Sequence, residues 1–265
     1  MTHRLRTSCR LSFTVAVPTP MTLMLRLRRH PDQWVEEETF DLAPRVAVSE
    51  LMDSFGNPMQ RLVAPVGDFV VSTSAQVVVA EPPLGTPAAG FVEVPELPGA
   101  VLPYLLPSRY CESDRFGNMA TDIVADAPAG FAQVAAITNW VHDNVRNVPL
   151  SSTYPVSAVE VNERREGVCR DLAQISIALC RSLCIPARLV VGYLHKLKPQ
   201  DLHAWFEAYV GSRWYAFDPT NPDDREPRIT LAHGRDSADV AVYNQYGPLL
   251  LPDDMQVTVT ALAPA

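Results

Sequence analysis

Seven prolines between residues 81 and 107 constrain the fold of this chain more than any other feature of its sequence. They stand at positions 82, 83, 87, 95, 98, 103 and 107. Proline fixes its own φ angle and has no amide hydrogen, so this density is incompatible with a central strand or with the interior of a helix. We therefore predict a linker here and place a domain boundary at its end.

The residues before this boundary, 1–107, have the pattern of a β-sheet protein. Short runs such as 12–15 and 22–27 are rich in alternating apolar residues, and segments containing Gly, Pro and Asn separate them. Alternation with a period of two is typical of half-buried strands. The pattern favours an antiparallel β-sandwich over residues 1–107, with the proline-rich linker at its end.

Residues 108–265 follow a different pattern, in which helices come first and strands later. Apolar residues recur at helical spacing from Phe131 onward, and a second helix is predicted from about Cys169 to Cys184, because Pro186 prevents its continuation. Three candidate strands follow, at 188–194, 203–210 and 213–218. This order predicts an α+β domain rather than alternating α/β units.

Charge and hydropathy exclude two classes of partner. The 265 residues include 30 acidic and 22 basic side chains, a formal net charge of -8, whereas a protein that binds DNA or RNA needs a cationic face. The longest apolar runs, such as 77–80, are far below the roughly 20 residues that a membrane-spanning helix needs. We therefore expect neither a nucleic acid partner nor a membrane-embedded segment.

The cysteines and the N-terminal segment bear on the compartment. Five cysteines without repeated Cys-x-x-Cys spacing fit neither a disulfide framework nor a zinc knuckle. The basic and apolar residues at 4–17 are interrupted by Ser and Thr, and we expect a strand there rather than a signal peptide. Both features favour a cytoplasmic location.

Cys169 stands where the second predicted helix begins. A thiol at this position is close to the positive end of the helix dipole and to unpaired backbone N–H groups, which favour the thiolate. The same N–H groups can bind the oxyanion of a tetrahedral intermediate. A cysteine considered alone is more often a small buried packing residue. The assignment of Cys169 as a nucleophile therefore requires a general base and an orienting group nearby.

A predicted hairpin supplies those partners. The Gly-Ser pair at 211–212 suits a two-residue turn between the strands 203–210 and 213–218. If the residues flanking the turn pair with each other, His203 and Asp218 share one face and lie diagonal to each other. Asp218 would then orient His203, and His203 would take the thiol proton. A register slip of one residue would move Asp218 to the opposite face.

The three residues lie in segments that resemble the transglutaminase-like superfamily, and in particular its bacterial cysteine protease group. The segments are Gly-Val-Cys-Arg-Asp-Leu-Ala at 167–173, His-Ala-Trp-Phe-Glu-Ala-Tyr at 203–209 and Trp-Tyr-Ala-Phe-Asp-Pro-Thr at 214–220. Residues 181–193 and 233–240 extend the resemblance, which is strong over about 130–260 and only general over the first hundred residues.

The resemblance implies a papain-like transglutaminase core, with the helix that bears the cysteine packed on an antiparallel β-sheet and a β-rich domain before it. Cys169 would be the nucleophile, His203 the general base and Asp218 its partner. The implied chemistry is acyl transfer from a peptide or protein amide through a thioester, without metal or other cofactor. We expect hydrolysis, as in a protease or amidase. Transfer of the acyl group to an amine, and a non-catalytic protein-interaction module, stay open as alternatives.

Other candidates have weaker patterns. His142, His195 and His233 lack the short spacing of metal ligands, so no metal site is expected. The charged segment 160–166 is expected to be a solvated loop, or else a lid over the thiol. Arg170, Asp171 and Glu207 could assist the site and Trp140 could line a substrate cleft, although structural roles are at least as common for each. Cys180 and Cys184, four residues apart on the second helix, could form a redox pair, although core packing is the commoner role.

Overall fold

The computed structural model describes residues 2–81, 88–149, 151–152, 154–223 and 225–263. Its strands are β1 (Thr2–Val15), β2 (Thr19–Leu23), β3 (Gln33–Ala43), β4 (Ser49–Met52), β5 (Pro58–Ala64), β6 (Gly67–Ala80), β7 (Arg146–Asn147), β8 (Glu166–Gly167), β9 (Ala187–Leu194), β10 (Leu202–Val210), β11 (Arg213–Phe217), β12 (Arg228–Gly234), β13 (Tyr243–Gln245) and β14 (Asp254–Ala261). The α-helices are α1 (Gly117–Ile123), α2 (Phe131–Asn144), α3 (Ala158–Arg164) and α4 (Cys169–Ser182), and short 3₁₀ helices cover Val94–Glu96, Leu102–Leu105 and Ser113–Arg115.

The N-terminal strands form most of the predicted β-sandwich. One sheet has the strand order β14-β1-β6-β3 and the other has the order β13-β2-β5-β4. Burial alternates along β1, so that Leu5, Cys9, Leu11 and Phe13 point inward while their neighbours face outward. These side chains share one core with residues of β2, β5 and β6, as expected for two sheets that pack face to face.

The far end of the chain completes both sheets of the sandwich. β14 pairs antiparallel with β1, from Leu5↔Ala261 to Ser12↔Asp254, and β13 pairs with β2. The division into 1–107 and 108–265 stays a proposal from sequence composition, whereas the sandwich itself draws strands from both parts. Local periodicity does not predict this pairing, because the partners lie more than 200 residues apart in the sequence.

The proline-rich segment packs against the second part of the protein. The prolines at 82, 83 and 87 lie outside the described residues, and those at 95 and 103 lie in the first turn of 3₁₀ helices, where a missing N–H costs little. Leu97, Val101 and Tyr104 from these turns form a small buried cluster with Tyr209 of β10.

The second part has the predicted α+β architecture. Its antiparallel sheet has the strand order β11-β10-β9-β12, and α4 packs against β10 and β9. All residues of α4 from Asp171 to Arg181 are buried, so this helix forms the centre of the core. None of the helices among the described residues is long and apolar enough to span a bilayer.

The prediction of a loop for the charged segment 160–166 was wrong, because its residues up to 164 belong to the helix α3. Ser157 caps α3, since its hydroxyl accepts a hydrogen bond from the Glu160 amide at 3.4 Å. The Glu160 carboxylate in turn accepts one from the Ser157 amide at 2.9 Å. This reciprocal capping box is visible in the sequence as Ser-x-x-Glu and could have identified the helix.

Two buried side-chain amides join the sandwich to the open edge of β12. Gln33 donates a hydrogen bond to the Thr230 carbonyl at 2.9 Å and accepts one from the Thr230 amide at 2.7 Å. Asn57 makes the same pair of bonds to His233, at 2.8 and 3.0 Å. The two amides therefore satisfy edge groups of β12 that another strand would otherwise bind.

Candidate active site

Cys169 is the first residue of α4, and the turn before it is tightly held. β7 and β8 pair just upstream, and the Asp171 carboxylate accepts a hydrogen bond from the Val168 amide at 3.2 Å. A Cβ atom at Gly167 would lie 2.8 Å from that of Asp171, so only glycine leaves room for this close approach. The Cys169 thiol is consequently fixed at the N-terminus of the helix, where it is only partly buried.

Two backbone donors at this helix end are available. The Asp171 and Leu172 amides donate to the Val168 carbonyl at 2.9 and 3.1 Å. Among the described residues, the amides of Cys169 and Arg170 have no acceptor. An anion bound beside the thiol would therefore meet two unpaired N–H groups at the positive end of the helix dipole.

The hairpin that carries His203 has the predicted register. Val210 pairs with Arg213, and the turn residues Gly211 and Ser212 have φ angles of 54° and 63°, as in a type I′ turn. His203 and Asp218 therefore meet: the His203 Nε2 and Asp218 Oδ2 atoms lie 2.6 Å apart. Both side chains are buried, with 5% and 2% of their surface exposed.

The second oxygen of Asp218 is also held. Oδ1 accepts hydrogen bonds from the Thr220 amide at 2.9 Å and from its hydroxyl at 2.7 Å. The Arg228 guanidinium lies 3.9 Å from Oδ2. Burial raises the pKa of Asp218, but the His203 and Thr220 hydrogen bonds and the Arg228 charge outweigh it and lower the pKa overall. The carboxylate is therefore ionised and fixed in orientation.

His203 interacts with both Asp218 and Cys169. Burial lowers the pKa of His203, but interactions with Asp218 and then with the Cys169 thiol outweigh burial and raise the pKa to about 10. Because Nε2 is bound to Asp218, Nδ1 is the nitrogen that is left for the thiol. The arrangement favours an imidazolium between two acidic groups, while the catalytic roles of the three residues stay a prediction.

Comparisons with known proteins identify the family. The transglutaminase-like superfamily model matches residues 117–219. The crystal structure of a "putative cysteine protease" from Cytophaga hutchinsonii is 32% identical in sequence and has a TM-score of 0.91, over 100% of this chain and 92% of that chain. The chain belongs to the transglutaminase-like superfamily.

Two mycobacterial relatives match a smaller part of this chain. An uncharacterized protein of Mycobacterium leprae is 32% identical over 143 residues, which cover 49% of this chain and 50% of that protein. An uncharacterized protein of Mycobacterium tuberculosis is 34% identical over 105 residues, which cover 34% of this chain and 33% of that protein. The chain thus aligns with half or less of the length of these relatives.

Two residues that follow the cysteine in this transglutaminase-like motif support the local structure. Asp171 is fully buried and accepts hydrogen bonds from the Ser152 hydroxyl and, at 3.0 Å, from Arg170. Arg170 also donates to the Tyr154 carbonyl at 3.1 Å. The pair therefore anchors the segment around Ser152 and Tyr154 beside the start of α4.

Neighbours of His203 in the transglutaminase-like core have separate roles. Trp205 is buried, and its ring stacks beside the imidazole with centroids 6.4 Å apart. Glu207, on the same sheet face as His203, forms an ion pair with Arg188 at 2.6 Å. Its carboxylate is therefore bound to that guanidinium. Trp140 lies on α2 with the Arg165 guanidinium 5.3 Å from its ring centroid.

The remaining histidines are dispersed in the structure. His142 donates to the Pro219 carbonyl at 3.0 Å, and His195 pairs with Glu226 at the same distance. His233 is buried against Arg188, and burial together with nearby arginines lowers its pKa to about 2. No group of three His, Cys, Asp or Glu side chains that could hold a metal ion occurs in the parts of the chain that the structure describes.

The cysteine pair at the end of α4 is divided between core and surface. Cys180 is buried and Cys184 is exposed, and both thiols are free. Cys184 lies beyond the end of the helix and has a φ angle of 58°. It therefore does not share a helical face with Cys180, contrary to the prediction from the spacing of four residues. The predicted helix therefore ends two residues earlier than expected, at Ser182.

A cavity of about 350 Å³ adjoins Asp218. It follows β11, between α2 on one side and residues of the sandwich on the other. Its lining includes Phe131 and Ala135 of α2, and His30 and Asp32 of the sandwich. The contribution of the sandwich could not be predicted from the sequence, because no local pattern relates residues 30–32 to a strand nearly 190 residues later.

Proposed function

We propose that this protein is a cysteine hydrolase, a protease or amidase, that cleaves peptide or side-chain amides through a thioester with Cys169, His203 and Asp218. The observation that carries the proposal is the 2.6 Å contact between buried His203 and Asp218, with the imidazole also interacting with the thiol at the N-terminus of α4. The likeness to a protein described as a "putative cysteine protease" supports hydrolysis of amides.

In the acylation step, the proton of the Cys169 thiol resides on His203 as an imidazolium, and the thiolate sulfur attacks the amide carbonyl carbon. The carbonyl oxygen becomes an oxyanion, which the backbone amides of Cys169 and Arg170 at the start of α4 can bind. The C–N bond then breaks, and His203 transfers its proton to the leaving nitrogen. The products are a free amine and a thioester on Cys169.

In the deacylation step, His203 removes a proton from water while the water oxygen attacks the thioester carbon. The C–S bond breaks, the carboxylic acid leaves, and the proton returns to the sulfur. Asp218 keeps the imidazole in one orientation and stabilises its charged form throughout, without taking the proton itself. An amine in place of water would instead yield a new amide.

The first test is the rate at which iodoacetamide alkylates each cysteine at different pH values. Cys184 is an exposed free thiol in the same molecule and provides an internal reference. We expect Cys169 to react faster than Cys184 well below about pH 8.5, the ordinary thiol pKa, and to slow in a His203→Ala variant. Cys184 should be unaffected by that substitution. Equal rates at the two cysteines would refute an activated thiolate.

The second test is turnover. We expect the wild-type protein to cleave members of a peptide and amide library, with cleavage sites assigned by mass spectrometry, and the Cys169→Ala protein to cleave none. Adding a primary amine to the same reactions distinguishes hydrolysis from acyl transfer, because transfer would give an amine adduct in place of the free acid. Cleavage that persists in Cys169→Ala would contradict the mechanism.

A further inference from the structure

The outer edge of β11 carries backbone groups that point away from the sheet. In a two-residue hairpin the flanking residues form a hydrogen-bonded pair, so Val210 and Arg213 face each other and the pattern alternates from there. The Tyr209 amide accordingly donates away from β11, to the Pro186 carbonyl at 2.8 Å. By the same alternation, the N–H and C=O groups of Trp214 and Ala216 face outward.

These outward groups have no hydrogen-bond partner among the described residues. β11 is the terminal strand in the order β11-β10-β9-β12, and its described pairing is with β10 alone. No backbone group among the described residues bonds to the outer edge at Trp214 or Ala216. At the other edge of the same sheet, Gln33 and Asn57 satisfy the backbone groups of Thr230 and His233 in β12. Backbone groups at the β12 edge therefore have side-chain partners, whereas Trp214 and Ala216 at the β11 edge have none among the described residues.

A groove follows the open edge and leads to the catalytic carboxylate. The cavity of about 350 Å³ is lined by every residue from Arg213 to Asp218, and its volume lies in the usual range of ligand sites. Asp218 lies at the end of the strand that is nearest to His203. A ligand held along β11 would therefore extend toward the carboxylate that binds His203.

The two walls of the groove each carry apolar and polar side chains: Phe131 and Ala135 precede Thr138 and Asn139 on α2, and Val79 and Ala80 lie beside His30 and Asp32 on the sandwich. On the α2 side, the Phe131 ring packs on Tyr215 and Phe217 with centroids 5.5 and 4.9 Å apart. On the other side, His30 and Asp32 of the sandwich supply polar side chains. A strand alternates its side chains between two faces, so an added strand would place every second side chain against each wall.

We propose that the edge of β11 binds an extended segment of the polypeptide substrate as an additional antiparallel or parallel strand, hydrogen-bonded to Trp214 and Ala216. The segment alternates apolar side chains, packed on the Phe131 ring of the α2 wall, with polar side chains beside His30 and Asp32. This inference rests on the proposed hydrolase function and specifies its substrate as an extended peptide chain rather than a compact amide. Main-chain hydrogen bonds supply the affinity, and the two walls supply selectivity.

The test uses the full-length Cys169→Ala protein, which binds without turnover, and random peptides of about ten residues, long enough to span the strand. We expect selected peptides to alternate apolar and polar residues. On binding, hydrogen exchange should slow at the Trp214 and Ala216 amides but not at Tyr215, whose amide is already bonded within the hairpin.

Two perturbations test the hydrogen bonds themselves. Ala216→Pro removes one outward N–H without breaking the hairpin ladder, and proline is tolerated at sheet edges; Ala216→Val is the control that adds bulk and keeps the N–H. We expect Ala216→Pro to weaken binding about tenfold relative to Ala216→Val. N-methylation of alternate peptide amides should have a similar effect on the unmodified Ala216 protein, which covers the case in which Ala216→Pro fails to fold.

Several outcomes would overturn the proposal. They are the absence of any selected peptide, equal binding by the Pro and Val variants together with no effect of N-methylation, and protection at sites other than β11. A wild-type dimer that dissociates in Ala216→Pro would show that a second copy of the chain covers the edge. Iodoacetamide reactivity of Cys169 is measured separately, so an inactive thiol would refute the hydrolase while leaving the peptide measurement intact.

Discussion

Replacing Gln33 with methionine should lower the free energy of unfolding by about 2–3 kcal/mol, because it removes a buried amide that three backbone groups use. Gln33 is only 2% exposed. Its amide nitrogen donates to the Arg28 carbonyl at 2.6 Å and to the Thr230 carbonyl at 2.9 Å, and its oxygen accepts from the Thr230 amide at 2.7 Å. Methionine fills a similar volume but replaces none of these bonds.

The magnitude follows from what each backbone group retains. The Thr230 amide loses its acceptor in a buried position, which costs about 1–3 kcal/mol. The Thr230 carbonyl still accepts from the Arg28 amide at 3.2 Å, so its loss is smaller. The Arg28 carbonyl belongs to a partly exposed residue and can recover a bond to water. The sum is therefore about 2–3 kcal/mol, in the upper half of the range for one unpaired group.

Gln60 provides the matched control. It is fully buried, yet neither its amide nitrogen nor its oxygen has a hydrogen-bond partner among the described residues. Gln60→Met should therefore leave the free energy of unfolding unchanged or raise it by up to about 1 kcal/mol, because it removes a desolvated polar group without breaking a bond. Urea denaturation of both variants, with the slope of each transition checked against the wild type, measures the difference. Equal destabilisation by the two substitutions would refute the reasoning.

Three further predictions concern the candidate site and the sheet beneath it. Asp218→Asn should slow turnover by about a hundredfold or more, because it removes the charge that orients His203, yet less than Cys169→Ala does; an unchanged rate in steady-state assays would contradict the orienting role. Burial lowers the pKa of His203, but Asp218 and Cys169 raise it from 6.5 to about 10, so the stability that this pair contributes is complete below about pH 6.5 and is lost as the pH rises through about 10. The difference in unfolding free energy between wild type and His203→Gln should shrink over that interval, and a constant difference would refute the pairing. A Cβ atom at Gly192 would lie 1.9 Å from the Ile229 carbonyl oxygen. Gly192→Ala should therefore destabilise the sheet by about 1–3 kcal/mol and lower the midpoint of thermal unfolding. An unchanged midpoint would count against the close contact.

Much of the candidate site could be predicted because its elements are local in sequence. The position of Cys169 at a helix start follows from the apolar periodicity of α4, and the meeting of His203 with Asp218 follows from a two-residue turn that sets the register. Strand alternation then decides which side chains share a face. These are short-range constraints, so a pattern of a few residues is enough to specify them.

The tertiary structure alone decided which distant segments border that site. The return of β14 to β1, the Gln33 and Asn57 bonds to β12 and the placement of His30 beside β11 join residues separated by about 180 to 250 positions. Such contacts depend on which sheet edges are left unpaired once the local elements have formed, and on which buried backbone groups still lack partners. Hydrophobic periodicity marks the face that a strand buries, but it carries no information on what lies against its edge.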